Sequence, residues 1–135
     1  MKYSINLLFI MLFAGSLITC GGKNDNQKAG DYTPLAEQFV DMLVNEEYDN
    51  AVQKFDSTMK HVLPADKLED VWQNLLTQVG HYKRQLGIRQ TNEQGYDIVY
   101  ISCEFEEANA DVKIVFNKNK EIAGLWFVPP LEYKQ

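Results

Sequence analysis

The sequence is poor in the groups from which common chemistries are built. Its 135 residues include two cysteines, Cys20 and Cys103, and two histidines, His61 and His81. No G-x-S-x-G occurs, which removes the nucleophile elbow of an α/β-hydrolase and leaves Cys103 with His81 as the conceivable nucleophile and base. A strand cysteine between Ile101 and Phe105 reads instead as a small buried hydrophobe, and a histidine just past a helix end as a neighbour of terminal carbonyls. Neither H-E-x-x-H nor an EF-hand loop is present, and Glu104, Glu106 and Glu107 read as a solvated strand end, so no metal or other cofactor is expected. Glycine is absent where a phosphate cradle would need it, after a strand and before a helix, which disfavours nucleotide chemistry. Basic side chains are outnumbered 13 to 19. A surface of that sign repels nucleic acid and anionic lipid.

Long apolar runs are also missing. The longest, Ile5 to Ala14 broken only by Asn6, is shorter than the ~20 residues that span a hydrocarbon core, so a permanent transmembrane helix is disfavoured. With Lys2 before it, Gly15 and Ser16 after it and no acid, residues 1–19 have the layout of a secretory leader. Its end, Leu17-Ile18-Thr19-Cys20-Gly21, resembles the lipobox of bacterial lipoproteins, with Thr19 in place of the usual Gly, Ala or Ser. The resemblance implies cleavage before Cys20, a lipid such as palmitate on its sulfur, and a protein anchored in the bacterial cell envelope, on the outer membrane or cell surface if the host is Gram-negative. The mature chain would keep 12 basic side chains, Cys103 could not pair with Cys20, and burial is expected for its thiol.

What is present divides into a tether and one domain. Residues 20–32, CGGKNDNQKAGDY, lack apolar periodicity and are expected to form a tether reaching about 20 Å from the bilayer; residues 33–135 are expected to fold. Thr33-Pro34 suggests an N-cap with Pro at the first helical position, followed by the stripe Leu35, Phe39 and Leu43 up to about Asn45. Tyr48, Ala51, Val52 and Phe55 continue as a second helix with a ragged end over residues 56–60. The strongest pattern, Leu68 to Val79, starts near Pro64 to Asp66 and stops at Gly80. The period then becomes two: Tyr82, Leu86 and Ile88, a turn at TNEQG, Tyr96 to Phe105, Asp111 to Phe116, and Glu121 to Val128 after an Asn117–Lys120 connection. About three helices on one face of a curved four-stranded antiparallel sheet, an α+β fold, are expected.

Val99, Ile101, Cys103 and Phe105 are assigned to the helix-covered side. The last strand is apolar on both parities, Ile122, Trp126 and Val128 against Ala123, Leu125 and Phe127. Its second face is expected to be covered by sheet curvature with the tail Pro129 to Gln135, by a second copy, or by a partner.

The segments FVDMLVNEEYDNAVQKFDSTMK, LPADKLEDVWQNLLTQVG, GYDIVYISCEFEEANADVKIVFN and KEIAGLWFVPP resemble the bacterial family called domain of unknown function 3887, over about Leu35 to Pro130. The resemblance rests on Leu63-Pro64, Trp72, Gly80, the Tyr100 to Phe105 strand and Ile122-Ala123-Gly124-Leu125. It implies a cystatin-like, or nuclear-transport-factor-2-like, arrangement, and some members sit ahead of an esterase-type domain that these residues do not contain. It brings no catalytic motif. Trp72, Tyr82, Tyr100, Cys103 and Trp126 are the candidate pocket residues. The function expected is a non-enzymatic binding or accessory module for an envelope protein or small apolar ligand. The alternatives are a small isomerase, dehydratase or hydrolase-like enzyme in a cone-shaped pocket, and a structural homodimer burying the Trp126 face.

Overall fold

The computed structural model describes residues 30–130. Cys20, the leader and the end of the tail lie outside them. Four helices, α1 (Thr33–Val44), α2 (Tyr48–Val52), α3 (Ser57–Val62) and α4 (Ala65–Val79), precede four strands, β1 (Tyr82–Glu93), β2 (Tyr96–Phe105), β3 (Asn109–Phe116) and β4 (Ile122–Val128). The strands form one antiparallel sheet in the order β1-β2-β3-β4, so the fold is α+β. No helix among the described residues is long and apolar enough to cross a membrane.

α1 buries Ala36, Phe39, Val40 and Leu43, the stripe its spacing dictates. Its start differs from the expected cap. Thr33 is the first helical residue and Tyr32 the N-cap, with no side chain capping the helix; Asp31, one residue earlier, accepts from the Thr33 N–H at 3.0 Å and from its hydroxyl at 2.6 Å. Tyr32, expected in the tether, is part of the core: its ring lies 5.2 Å from Phe116 and its N–H donates to Gln90 Oε1 at 2.9 Å.

The second expected helix is in fact two. Asp56, in extended conformation, accepts from the Met59 N–H at 2.7 Å and starts α3, so residues 57–62 are a separate capped turn of helix rather than a ragged end. Between α2 and α3 the chain pairs with the start of β4: Ile122 N–H donates to Lys54 C=O at 2.8 Å, and Asp56 N–H to Ile122 C=O at 2.9 Å. α4 buries Leu68 and Trp72 and ends at Gly80, whose φ of +82° lies in the region L side chains avoid. Glu106 and Glu107 are exposed, as expected, and also fasten this end: Glu107 N–H donates to Val79 C=O at 2.8 Å and His81 N–H to the Glu106 carboxylate at 3.0 Å.

β2 carries Val99, Ile101, Cys103 and Phe105 on its buried parity, facing Ile114, Val112 and Ala110 of β3. β1 is longer than expected. Thr91 and Asn92 pair with Ile98 and Asp97, leaving only Gln94-Gly95 as the turn. On β4 a register shift between Val115 and Phe116 breaks the simple alternation: Ile122 pairs with buried Phe116, Gly124 with Val115 and Leu125 with Ile114. Ile122 therefore faces the helix side with Leu125 and Phe127, not with Trp126, because the bulge inserts one residue. Side chains from α1, α2, α4 and that parity of the sheet form one cluster around Phe39, Phe55, Trp72 and Phe116.

Candidate functional site

Trp72 is 1% exposed and stands at the centre of an aromatic group, with ring centroids 6.0 Å from Phe105 and 5.7 Å from Phe127. Tyr82 stacks edge-on against Phe105 at 5.9 Å. Beside Phe127, residues of the C-terminal half of α4 and the facing ends of β3 and β4 leave a gap. The result is a solvent-open cleft of about 310 Å³, lined by Leu75, Val79, Ala110, Phe127, Val128 and Pro129 with Gln78 and Asn109 as its polar groups. Its size sits at the lower end of the range for ligand sites, about 300–1,000 Å³, and its composition, apolar walls with few polar groups, is that of such sites. A second opening of about 390 Å³ between the hairpin tips is walled by Gln94, Tyr96, Asn117 and neighbouring turn residues.

Cys103 is fully buried and free. Its Sγ donates to the Ile101 carbonyl at 3.6 Å. Burial pushes the thiol up to about 12, and the Asp111 carboxylate adds to the effect. A thiolate is therefore strongly disfavoured at neutral pH, the opposite of what a nucleophile needs. His61 and His81 are both exposed. No cluster of three or more His, Cys, Asp or Glu that could hold a metal occurs among the described residues. Glu104 is held below the usual carboxylate range by its hydrogen bond from Arg84, with Lys83 also in reach at 3.6 Å.

The other face of the sheet is built differently. Arg89, Tyr100, Lys113 and Trp126 occupy directly paired positions on β1, β2, β3 and β4, so they form one row across all four strands. The Arg89 guanidinium lies 3.8 Å from the Tyr100 ring centre, and Lys113 Nζ lies 5.8 Å from Tyr100 and 5.2 Å from Trp126. These are cation–π contacts. The one over Tyr100 helps offset the burial of Arg89 Nη2, which has no hydrogen-bond acceptor among the described residues. Trp126 is 51% exposed. Its indole lies over Gly124, where any Cβ would collide with the ring.

The five candidate pocket residues thus fall on two faces. Trp72, Tyr82 and Cys103 belong to the helix side, and Tyr100 and Trp126 to the other, so no one pocket takes all five. The cleft itself is lined by Leu75, Val79 and Phe127, one layer outside Trp72. Their apolar spacing marked them as core and gave no sign of an opening there. Arg89 and Lys113 were missed because their alignment with Tyr100 and Trp126 depends on register.

Among proteins of known sequence the chain is similar to "Esterase EstD" of Thermotoga maritima, 21% identical over 120 residues. The match takes in 89% of this chain but 27% of the esterase, so the chain spans about a quarter of that relative's length. No solved structure matches it. Residues 36–125 match the family described as protein of unknown function (DUF3887), and the chain belongs to that family.

Proposed function

We propose that this chain is a lipoprotein of the bacterial cell envelope, tethered through a lipid on Cys20, whose folded unit binds a small apolar ligand or an apolar side chain of a partner protein without transforming it. The observation that carries the reading is the cleft beside α4: apolar walls over an aromatic floor, Gln78 and Asn109 to orient an occupant, and no titratable side chain in the lining. A cystatin-like, or nuclear-transport-factor-2-like, arrangement is part of this proposal, with the cleft at the margin between helix layer and sheet. The esterase relative supports an accessory role, because the shared region is a minor part of that protein. Hydrolysis by this unit alone would need a nucleophile, and the Cys103 thiol is buried and protonated at neutral pH.

The test is native mass spectrometry of the full chain purified from its membrane fraction, beside a Val79→Arg variant that fills the cleft with charge. A discrete adduct on the parent, lost from the folded variant, supports the reading. A bare parent that also fails to bind the apolar dye 1-anilinonaphthalene-8-sulfonate sinks it, as does ester hydrolysis that survives Val79→Arg.

A further inference from the structure

The sheet has two outer edges, and they are built differently. β1 carries Lys83, Arg84, Arg89 and Glu93 and two register shifts, between Tyr82 and Arg84 and between Gln85 and Gly87. Charges and bulges of this kind keep a foreign strand from pairing with an edge. β4, from Ile122 to Val128, holds no charge and no proline, and its one register shift lies at its start, before Gly124.

The outer edge of β4 is paired at one residue. Ile122 N–H donates to the Lys54 carbonyl at 2.8 Å and Ile122 C=O accepts from the Asp56 N–H at 2.9 Å, after which the chain leaves for α3. Over residues 123–128 the backbone pairs with β3 and, among the described residues, with no other segment. A strand flanked on one side presents a row of unpaired N–H and C=O groups, which is a template for one more strand.

The side chains beside this row define what fits it. On the helix side Phe127 borders the cleft, and on the other side Trp126 stands 51% exposed. A strand laid along β4 at about 4.8 Å would project alternate side chains beside Phe127 and beside the indole. Both neighbours are apolar, so the match is an uncharged segment with apolar residues on both parities. A second copy fits less well. The side chains that its own β4 turns to the helix side, Leu125 and Phe127, are packed against its own core and cannot enter the cleft.

We propose that the open edge of β4 takes an extended, uncharged segment of a partner protein as a fifth strand, starting beyond the Phe55 bridge, with one of its side chains seated in the cleft beside Phe127. Backbone pairing then holds the partner and the cleft selects it. The seat in the cleft rests on the reading given under Proposed function, whereas the pairing rests on the edge itself.

Hydrogen exchange on the full chain reads the pairing. The probe is a synthetic peptide of threonine–valine repeats with a lysine at each end, and its control is the same peptide N-methylated throughout, of equal charge but without backbone donors. In the free chain, the β4 amides that face away from β3 should exchange faster than those of β2. The probe should slow them about tenfold and the control should not. Trp126→Lys, which puts a charge on the edge strand outside the core, should remove the protection; if that variant fails to fold, the methylated control on the parent decides. The added strand is overturned by β4 amides as slow as those of β2 in the free chain, by equal protection from both peptides, or by none from either. Protection that rises with protein concentration in the absence of peptide also overturns it and assigns the edge to a second copy. The cleft is read separately by Val79→Arg and the adduct mass. An adduct in the cleft beside a β4 edge that the probe leaves unprotected removes the added strand and keeps the cleft reading. Equal protection of β4 in the parent and Val79→Arg, with no adduct on either, supports the added strand and removes the cleft reading.

Discussion

Cys103 and Gly80 show how far single residues of this chain are fixed by their surroundings. The Cys103 thiol is raised by burial to about 12 in the folded state, while an unfolded thiol titrates near 8.5. Between those values the unfolded chain has released its proton and the folded one has not, so stability contributed by the buried neutral thiol is complete below about pH 8.5 and is lost as pH rises toward about 12. The difference in urea midpoint between the parent and Cys103→Ala should therefore shrink as pH is raised across that window, by up to about 1.4 kcal/mol per unit. A difference independent of pH would mean that the thiol is not shielded as described. At Gly80, an added Cβ would stand 2.7 Å from Glu106 Cβ, on a backbone with φ of +82°. Gly80→Ala should lower stability by roughly 1–3 kcal/mol, measured by thermal melting, because strain and collision act together.

Among the elements, α3 depends most on one side chain. It is six residues long and has no fully buried residue, so the Asp56 cap is its main local support. Asp56→Ala should cost about 0.5–2 kcal/mol and raise amide exchange over residues 57–62, while Asp56→Ser should restore the larger part. On β4, Gly124→Ala should lift the Trp126 ring off the sheet and red-shift its emission while Trp72 stays unchanged; an unshifted spectrum would mean the ring was not lying there. These two elements also mark what could be read from the chain. The stripe of α1, the stop at Gly80 and the alternation of β2 were legible because each is a local pattern carried by its own residues. The α3 cap, the continuation of β1 through Thr91 and Asn92, and the face of Ile122 were not, since each depends on a partner elsewhere or on a bulge that no period reveals. The candidate site suffered most from this. Large rings were read as one set, and register placed them on two sides of a sheet.

For the whole molecule, Trp72 ties the layers together, touching both Phe105 and Phe127 from α4. Trp72→Ala should cost about 3–5 kcal/mol, a large part of the 5–15 kcal/mol that typically holds a domain folded. Urea unfolding should show the loss in midpoint. The sheet order adds something of another kind. Because each strand lies beside its immediate successor, every ladder closes over a short loop, and no pairing waits for a distant segment. Such a chain can zip up in the order it is made, and the bridge between Phe55 and Ile122, with the Trp72–Phe127 contact, reaches back across the sequence to lock the last strand to the first half. Folding kinetics should accordingly be fast for a protein with this much sheet, with the docking of β4 as the closing event.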